Sequence, residues 1–459
     1  MTTYYIDYNA ADDSADGLTT STPWKRNPYM AGFSGSYAHS VGDRFIHKGG
    51  VTWPASVFSM SPANGSSGNI DYYGADVAWY VGGSFTRPIF DGEYTENTLI
   101  YFNASSYIEF DNIELKRVSA NFAYTYGMFV GDNDCHHITI SNCYLHGWRT
   151  TASTDDAHGG VIFTTFGSQV DTIVIDSCEV TNEENVGGTD GAGPNGVMFR
   201  MVGTISNCYL HHNSSCILYC LDCDGNIIED INGPTASGWL GGDYHPNGVY
   251  LDAMTLGKSE GYIRNTVFIG AGGGANMAYL NGRNSTLHCY NKVFYGGATT
   301  QGMIEIDPYA YGDTTDSGIY NVYNNTCFIE SGDSVRSLVR FVDRGGAPAA
   351  DVANVRNNHI IYDGASCTTT SGGGYNTLNA SNNVIQTLAA ANSDGYNQAN
   401  EFAPTSGSGA TIDLGTPIGG IYAIDIVGVS RPQGAQWDIG AYEFVALSVP
   451  AAPANFRLA

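Results

Sequence analysis

The sequence predicts an all-β protein built as a solenoid of short strands, and three observations support this fold class. The 459 residues include 58 Gly and 31 Tyr but only 14% charged residues, a composition typical of β proteins rich in tight turns. Strand-like segments recur at steps of mostly 24 to 35 residues, which is a solenoid period. Within the segments apolar and polar residues alternate, so one side of each strand faces a core.

Two kinds of strand alternate between residues 97 and 385. The first kind tends to begin at Gly or Asn, and the second often carries a central Asn, as in "TISNCYL" (204–210). Strands of the first kind include "TLIYFN" (98–103), "GMFVGD" (127–132), "CILYCLD" (216–222), "GVYLD" (248–252), "NMAYLN" (276–281), "GMIEID" (302–307) and "SLVRFVD" (337–343). Strands of one kind should stack in parallel over about ten coils, with the central residue in a left-handed turn that hydrogen-bonds along a ladder. The aligned central positions are Asn112, Asn142, Ser177, Asn207, Asn265, Asn291, Asn325, Asn358 and Asn382.

Three of the ten cysteines hold one position of this repeat, directly after the central residue. They are Cys143, Cys178 and Cys208. The shared position predicts a stack of small buried side chains rather than a disulfide framework. Free buried thiols suit folding in a reducing compartment.

Segments at the two ends of the chain carry a family resemblance. "YYIDYNAADDSADGLTTSTPWK" (4–25) and "RPQGAQWDIGAYEF" (431–444), taken with the repeat, resemble the capping and closing segments of right-handed parallel β-helix proteins of the pectate-lyase-like superfamily. The resemblance implies a fold and not an activity, because that superfamily includes lyases, glycoside hydrolases, epimerases, phage tailspikes and adhesins. It implies an N-terminal cap with the first strands at 1–96, β-helix repeats at 97–390 and a closing segment at 391–446. A Pro/Ala-rich tail follows at 447–459.

The charge balance excludes several partners. Lys and Arg total 19 against 45 Asp and Glu, giving a net charge of −26. Such a field repels nucleic acid and anionic membrane surfaces, but it is compatible with neutral glycans and with bound Ca²⁺. No apolar run is long enough to predict membrane insertion, and the first residues do not resemble a signal peptide. We therefore expect an extracellular protein whose signal was removed, or a protein of a virion surface released by lysis.

A candidate sugar-binding row follows from strand alternation in the middle coils. Arg200, Tyr219 and Asp252 should point outward in one row, with Phe129 and Tyr250 nearby. Aromatic faces beside charged hydrogen-bonding groups are typical of a sugar-binding groove. An ordinary solvated face with scattered tyrosines explains the same pattern.

The loops that lead into these strands gather titratable residues at one edge of the coils. A hydrolase needs two carboxylates, whereas a lyase needs a base and a means of neutralising the uronate. Turns rich in Gly and Asp, with incidental histidines, are the alternative interpretation. The loop residues are Asp155, Asp156, His158, Glu183, Glu184, Asp190, Asp243 and His245.

These residues complete the predicted site. We expect His158, Arg200, His245 and Asp252 to be catalytic. Phe129, Tyr219, Tyr250 and Lys258 should bind substrate, and Ca²⁺ would be held by Asp155, Asp156 and Asp190.

A zinc site is a separate hypothesis at "HHNSSCILYCLDC" (211–223), because Cys220 and Cys223 have CxxC spacing beside His211, His212 and Cys216. Alternation along a strand places Cys223 on the face opposite Cys216 and Cys220. The structural interpretation of the cysteines is therefore favoured.

Three functions are compatible with the sequence. The first is a virion-borne tailspike that binds a host surface polysaccharide, with or without cleaving it, as a homotrimer together with other virion proteins. The second is a secreted, monomeric, Ca²⁺-assisted polysaccharide lyase or glycoside hydrolase. The third is a structural or adhesive rod without catalysis.

Overall fold

A computed structural model of the chain forms two compact units. Unit 1 comprises Met1–Asn213 with Ala236–Tyr244, and unit 2 comprises Ser214–Thr235 with His245–Ala459. The structure describes residues 1–119, 127–132, 134–148, 160–164, 171–183, 201–213, 217–218, 220–232, 247–251, 253, 257–272, 276–282, 284–295, 303–307, 317–333, 336–342, 351–373 and 375–446.

Unit 1 has three sheets of parallel strands. Sheet 1A contains β1 (Thr3–Ile6), β2 (Arg44–Gly49), β4 (Asp71–Tyr80), β7 (Ser106–Asp111), β10 (His136–Ser141), β13 (Asp171–Asp176) and β15 (Met201–Ser206), adjacent in that order. Sheet 1B contains β3 (Thr52–Trp53), β5 (Ile89–Asp91), β8 (Glu114–Lys116), β11 (Tyr144–His146), β14 (Glu179–Thr181) and β16 (Tyr209–Asn213). Sheet 1C contains β6 (Thr98–Asn103), β9 (Gly127–Asp132) and β12 (Gly160–Thr164).

Unit 2 repeats this three-sheet plan. Sheet 2A contains β18 (Cys220–Asp224), β21 (Glu260–Arg264), β24 (Thr286–Tyr290), β27 (Ile319–Tyr323), β30 (Val352–Arg356) and β33 (Thr377–Ser381). Sheet 2B contains β19 (Ile227–Asn232), β22 (Val267–Gly272), β25 (Val293–Tyr295), β28 (Thr326–Ile329), β31 (His359–Tyr362) and β34 (Val384–Thr387). Sheet 2C contains β17 (Ile217–Leu218), β20 (Asn247–Leu251), β23 (Asn276–Leu280), β26 (Ile304–Ile306), β29 (Ser337–Phe341) and β32 (Thr368–Gly372).

Each unit is therefore a parallel β-helix, because strands far apart in sequence pair in parallel with their equivalents in the next coil. The predicted fold class is confirmed, and so is the resemblance to parallel β-helix proteins. The described helical segments are α1 (Leu388–Ser393) and short 3-10 turns at Ala55–Val57, Gln398–Asn400 and Gly420–Tyr422. The predicted domain boundaries stay a prediction.

The interior of unit 1 is a column of stacked side chains that follows the register of sheet 1A. Phe45 stacks on Tyr73, and Tyr73 on Phe110, each with ring centroids 4.9 Å apart. In the following coils Ile140 takes the position of Phe110, and Ile175 then takes that of Ile140. Aromatic rings fill more volume than isoleucine, so the N-terminal coils bury larger side chains than the later ones.

The corner between the A and B sheets carries the predicted left-handed residue. Asn112, Asn142, Ser177, Asn207, Asn265, Asn291 and Asn382 have φ between 50° and 58°, as expected. In the two coils between those of Asn291 and Asn382 the prediction was wrong by one residue, since Asn324 and Asn357 have positive φ in place of Asn325 and Asn358. Both sites are Asn-Asn pairs, and the second Asn turns inward to hydrogen-bond its neighbours in buried surroundings.

The cysteine stack is confirmed in unit 1. Cys143, Cys178 and Cys208 are free and buried, and the Sγ of Cys208 accepts a hydrogen bond from the backbone N–H of Cys178 at 3.4 Å. One strand prediction was wrong. The segment "CILYCLD" (216–222), predicted as a single strand, contains β17 and the start of β18, which belong to different sheets.

The C-terminal segment packs on the coils of unit 2. Backbone N–H groups of Gly440 and Ala441 donate to Asn357 O at 2.8 Å and to Thr326 Oγ1 at 3.0 Å. Arg431 and Glu443, both buried, form an ion pair of 3.2 Å that holds the segment's own turn together. Within the described residues, no helix combines the length and apolar character needed to cross a membrane.

Candidate functional site

Sheet 2C has one apolar face and one polar face because its strands alternate. Val249, Ala278, Ile304 and Val339 are aligned across neighbouring strands and are fully buried, which marks the interior side. The next residue of each strand must point to the other side of the sheet. The residues on that side are Tyr250, Tyr279, Glu305 and Arg340.

Direct contacts connect this polar row. The rings of Tyr250 and Tyr279 stack with centroids 4.7 Å apart and planes inclined by 17°. Arg340 Nη1 donates to Glu305 Oε2 at 2.9 Å. Glu305 is buried while the Arg340 side chain is 37% exposed, so the ion pair has one end that solvent reaches. Parallel strands about 4.8 Å apart explain how side chains of neighbouring coils come into contact within each of these two pairs.

A second carboxylate lies two positions after Glu305. The backbone N–H of Asp307 donates to Leu280 O at 3.1 Å, so the ladder continues past the end of β26 and Asp307 shares the face of Glu305. Its Oδ2 accepts a 2.7 Å hydrogen bond from Tyr279 Oη. Two residues along a strand span roughly 6.6 Å, so the two carboxylates, both buried, are neighbours on one face of sheet 2C.

Asn281 is the least satisfied side chain of this region. It follows β23 at the position beside Asp307, is fully buried, and neither its amide nitrogen nor its amide oxygen has a hydrogen-bond partner. A buried amide without partners costs free energy, because the side chain has lost its water without gaining another partner. Such an amide, at the position beside Asp307 on the face that also carries Glu305, is suited to a ligand rich in hydroxyl groups.

We call the set formed by Tyr250, Tyr279, Asn281, Glu305, Asp307 and Arg340 the Glu305 site. Its carboxylates, tyrosine hydroxyl, guanidinium and amide can donate and accept hydrogen bonds at several points. Paired carboxylates on one surface also suit general acid–base chemistry.

Three of the predicted site residues lie in the described part of the chain. Phe129 was expected near the outward row as a substrate-binding residue, but it is fully buried inside unit 1 against Phe102 and Phe110, because the alternation of β9 places it on the core side. Tyr250 lies within the Glu305 site. Lys258 is exposed and precedes β21, at the edge of sheet 2A.

The other predicted residues lie outside the described part of the chain, so their roles and the calcium site stay predictions. They are Asp155, Asp156, His158, Asp190, Arg200, Tyr219, His245 and Asp252.

Sequence reasoning missed most of the Glu305 site because alternation was followed only through the strand that ends at 252. The sequence does predict the three strands that follow, "NMAYLN" (276–281), "GMIEID" (302–307) and "SLVRFVD" (337–343). Aligning their alternation with "GVYLD" (248–252) would have placed Tyr279, Glu305 and Arg340 in the row of Tyr250.

A second arginine–carboxylate group in unit 2 provides a contrast. Arg264 donates to both carboxylate oxygens of Asp222, at 3.0 and 2.8 Å, on sheet 2A. Burial raises the pKa of Asp222, and the neighbouring guanidinium partly opposes that shift. The two side chains of this pair hydrogen-bond to each other, and no unpartnered amide lies among their described contacts, unlike in the Glu305 site.

The cysteines of the zinc hypothesis are structural in the described residues. Cys220 and Cys223 are buried, and Cys223 accepts a hydrogen bond from the Asn226 amide at 3.2 Å. Burial raises the pKa of Cys223 to about 12, which disfavours the thiolate that zinc needs.

Comparison with solved structures agrees with the fold. A GH136 lacto-N-biosidase from Eubacterium ramulus superposes with a TM-score of 0.52 at 11% identity, covering 84% of this chain and 68% of that chain. The pectate lyase Pel9A gives a TM-score of 0.49 at 14% identity, with 96% of each chain covered. A rhamnogalacturonan lyase gives 0.47 at 14% identity, covering 83% and 87%. No protein-family model and no curated protein matches the sequence.

Proposed function

We propose that this chain is a polysaccharide-acting parallel β-helix that binds a glycan at the Glu305 site and hydrolyses a glycosidic bond there. The observation that carries the proposal is the buried, unpartnered amide of Asn281 beside the carboxylates of Glu305 and Asp307. The lacto-N-biosidase with the same fold acts, by its name, on a carbohydrate, which supports a sugar substrate.

The residues divide into chemical and binding roles. Glu305 and Asp307 would act as the carboxylate pair of a glycosidase, one protonating the leaving oxygen and the other acting as base or nucleophile. Arg340 orients Glu305, and Tyr279 orients Asp307, through the two hydrogen bonds described above. Asn281 would bind a sugar hydroxyl.

Hydrolysis is favoured over elimination by charge. A lyase of this kind acts on uronates, and a chain with net charge −26 repels a polyanionic substrate unless cations intervene. The arginine that could neutralise a uronate, Arg340, is already paired with Glu305. A neutral glycan meets neither obstacle.

The test compares Glu305→Gln and Asp307→Asn with the wild type on a panel of neutral and acidic polysaccharides. New reducing ends and the ultraviolet absorbance of unsaturated uronates are followed together. Hydrolysis predicts reducing ends alone, and each variant should lose about 10²–10⁴-fold in rate while still binding the glycan. Asp222→Asn is the matched control, since it alters an arginine–carboxylate pair of the same unit on another sheet.

Three outcomes would contradict the proposal. Uronate absorbance would mean a lyase. Full activity in both variants would move catalysis elsewhere, first to His158 and His245. Variants that lose stability without affecting glycan binding would make the polar row structural.

We further propose that the chain forms a trimeric, virion-borne spike that binds a host surface glycan. Support comes from the nine described cysteines, none of which forms a disulfide, as suits a protein that folds in a reducing compartment. Light scattering on the purified chain should give the mass of three copies. A monomer would favour a secreted enzyme instead.

A further inference from the structure

Two adjacent histidines and a glutamate converge at the end of two neighbouring strands of unit 1. His211 and His212 lie in β16, and Glu183 follows β14, which pairs with β16 in parallel. One potential ligand atom from each of the three side chains lies within 4.8 Å of the other two. His211 is buried and Glu183 is exposed, so the group is reached from the surface.

The backbone explains how consecutive residues of a strand can face the same point. Neighbouring side chains normally point to opposite sides of a sheet. His212 instead has φ = 52°, in the left-handed region that a non-glycine residue rarely occupies. The two Nδ1 atoms are then only 2.7 Å apart. Holding a histidine in this conformation costs on the order of 1 kcal/mol, which a bound ligand would offset.

The Nε2 atom of His211 has a carboxylate partner of the kind that orients metal-binding histidines. Its Nε2 lies 3.2 Å from Glu179 Oε1, and its ring stacks on Tyr209 with centroids 4.1 Å apart. When Nε2 donates its proton to the Glu179 carboxylate, Nδ1 carries the lone pair, and this atom lies 2.7 Å from the Nδ1 of His212. Histidine ligands of metals are commonly oriented by such a carboxylate.

An earlier coil contains the same arrangement without the extra ligands. His146 Nε2 lies 3.1 Å from Glu114 Oε1, and its ring stacks on Tyr144 at 4.2 Å. Strand register places His146 and His211 on either side of Thr181. The residue after His146 is Gly147, which also has positive φ, so the corner does not require a histidine. The structural part of the motif is thus complete without His212 and Glu183.

We propose that Glu183, His211 and His212 bind a divalent transition metal, with Zn²⁺ as the probe. Two imidazole nitrogens and one carboxylate oxygen are ligands that Zn²⁺ accepts, and three protein ligands leave a coordination position open. The metal would link the end of β14 to the end of β16. It does not involve the cysteines of the 211–223 segment, and it does not depend on the Glu305 site.

The test measures Zn²⁺ binding by calorimetry on the full chain after treatment with a chelator. The wild type should bind one equivalent at this site. His212→Gly copies the Gly147 coil and suits the positive φ, so it should fold and bind Zn²⁺ at least 10-fold more weakly. Glu183→Gln changes an exposed side chain and should weaken binding by a similar factor.

His137→Gly is the matched control. His137 has φ = 54°, and its Nδ1 lies 2.8 Å from that of His136, but no carboxylate joins that pair in a metal-binding group among the described residues. This variant should bind as the wild type does. Absence of stoichiometric Zn²⁺ binding, or binding unchanged in His212→Gly or in Glu183→Gln, would overturn the proposal. Cobalt substitution with an absorption spectrum supplies a readout independent of activity.

Discussion

Two buried histidines, His359 and His47, couple the stability of this protein to pH. His359 is buried in unit 2, with Nε2 2.8 Å from Gln386 Oε1 and its ring against Tyr396. Burial lowers the pKa of His359 from 6.5 to about 4. Burial similarly lowers the pKa of His47 in unit 1 to about 3. Both rings are therefore neutral in the folded protein at neutral pH.

The first prediction is a pH dependence of stability that His359 contributes. Above pH 6.5 the ring is neutral in both states and contributes nothing. As the pH falls towards 4, the unfolded chain takes up a proton that the folded chain refuses, so the unfolding free energy should fall by about 1.4 kcal/mol per pH unit. Below the folded pKa the loss is complete.

Urea unfolding of the wild type and of His359→Gln between pH 7 and pH 4 measures this effect. The variant should lack this part of the slope, whatever its stability at pH 7. Parallel curves for the two proteins would show that His359 titrates normally in the folded state.

At the scale of elements, inward asparagines connect the coils of unit 2. Asn358 Oδ1 accepts from the Asn325 amide at 2.9 Å and from the Asn325 backbone N–H at 3.0 Å. The Asn358 amide donates to Asn383 Oδ1 at 2.9 Å and to Val322 O at 3.1 Å. The ladder thus satisfies backbone groups at a corner where the strands have ended.

The second prediction is that Asn358→Ala destabilises the protein strongly. It leaves the backbone N–H of Asn325 and the carbonyl of Val322 buried without this partner, at about 1–3 kcal/mol for each group. Asn379→Ala is the control, because the exposed Asn379 makes one side-chain bond, to Asn354, and should cost less than about 0.5 kcal/mol. Thermal and urea unfolding measure both; equal losses would mean that the ladder adds nothing beyond an ordinary polar contact.

Sequence and structure agree closely at this scale where the pattern is local. "TLIYFN" and "GMFVGD" match β6 and β9 at both ends. The errors occur where two residues compete for one role, as at Asn324 and Asn325. Either asparagine tolerates a left-handed backbone, and only packing against the coils on both sides selects the one that turns inward.

At the scale of the whole molecule, the cysteines are distributed through both units as interior side chains. Of the nine described, eight are buried, and Cys367 is half-buried. Burial raises the pKa of Cys143, Cys178 and Cys327, and it raises that of Cys367 to about 11. Thiolates are the reactive form, so the buried thiols should be inert while the protein is folded.

The third prediction concerns thiol titration of the intact chain. A disulfide reagent at pH 8 should react within minutes with no more than two thiols, Cys367 and Cys216, the latter being outside the described residues. In denaturant all ten should react. Fewer than ten in denaturant would reveal a disulfide, and rapid reaction of several in native buffer would mean that the coils open readily.

Much of the fold could be predicted from the pattern of the sequence, for a physical reason. Alternation within a strand and the corner residue between strands are properties of a few consecutive residues, so β-helix coils and the cysteine stack could be predicted from them. The inward orientation of the Phe129 side chain could not be predicted, because a register error of one residue exchanges the two faces of a strand.

The two candidate sites depend on contacts between coils. Tyr250, Glu305 and Arg340 come from three strands of sheet 2C, whereas Glu183 follows one strand of sheet 1B and His212 lies in the next. The strands and their approximate order follow from local periodicity in the chain. Which side chains meet across neighbouring coils is decided by the exact register of the parallel pairs, since only the folded stack brings residues about thirty positions apart to within a few ångströms.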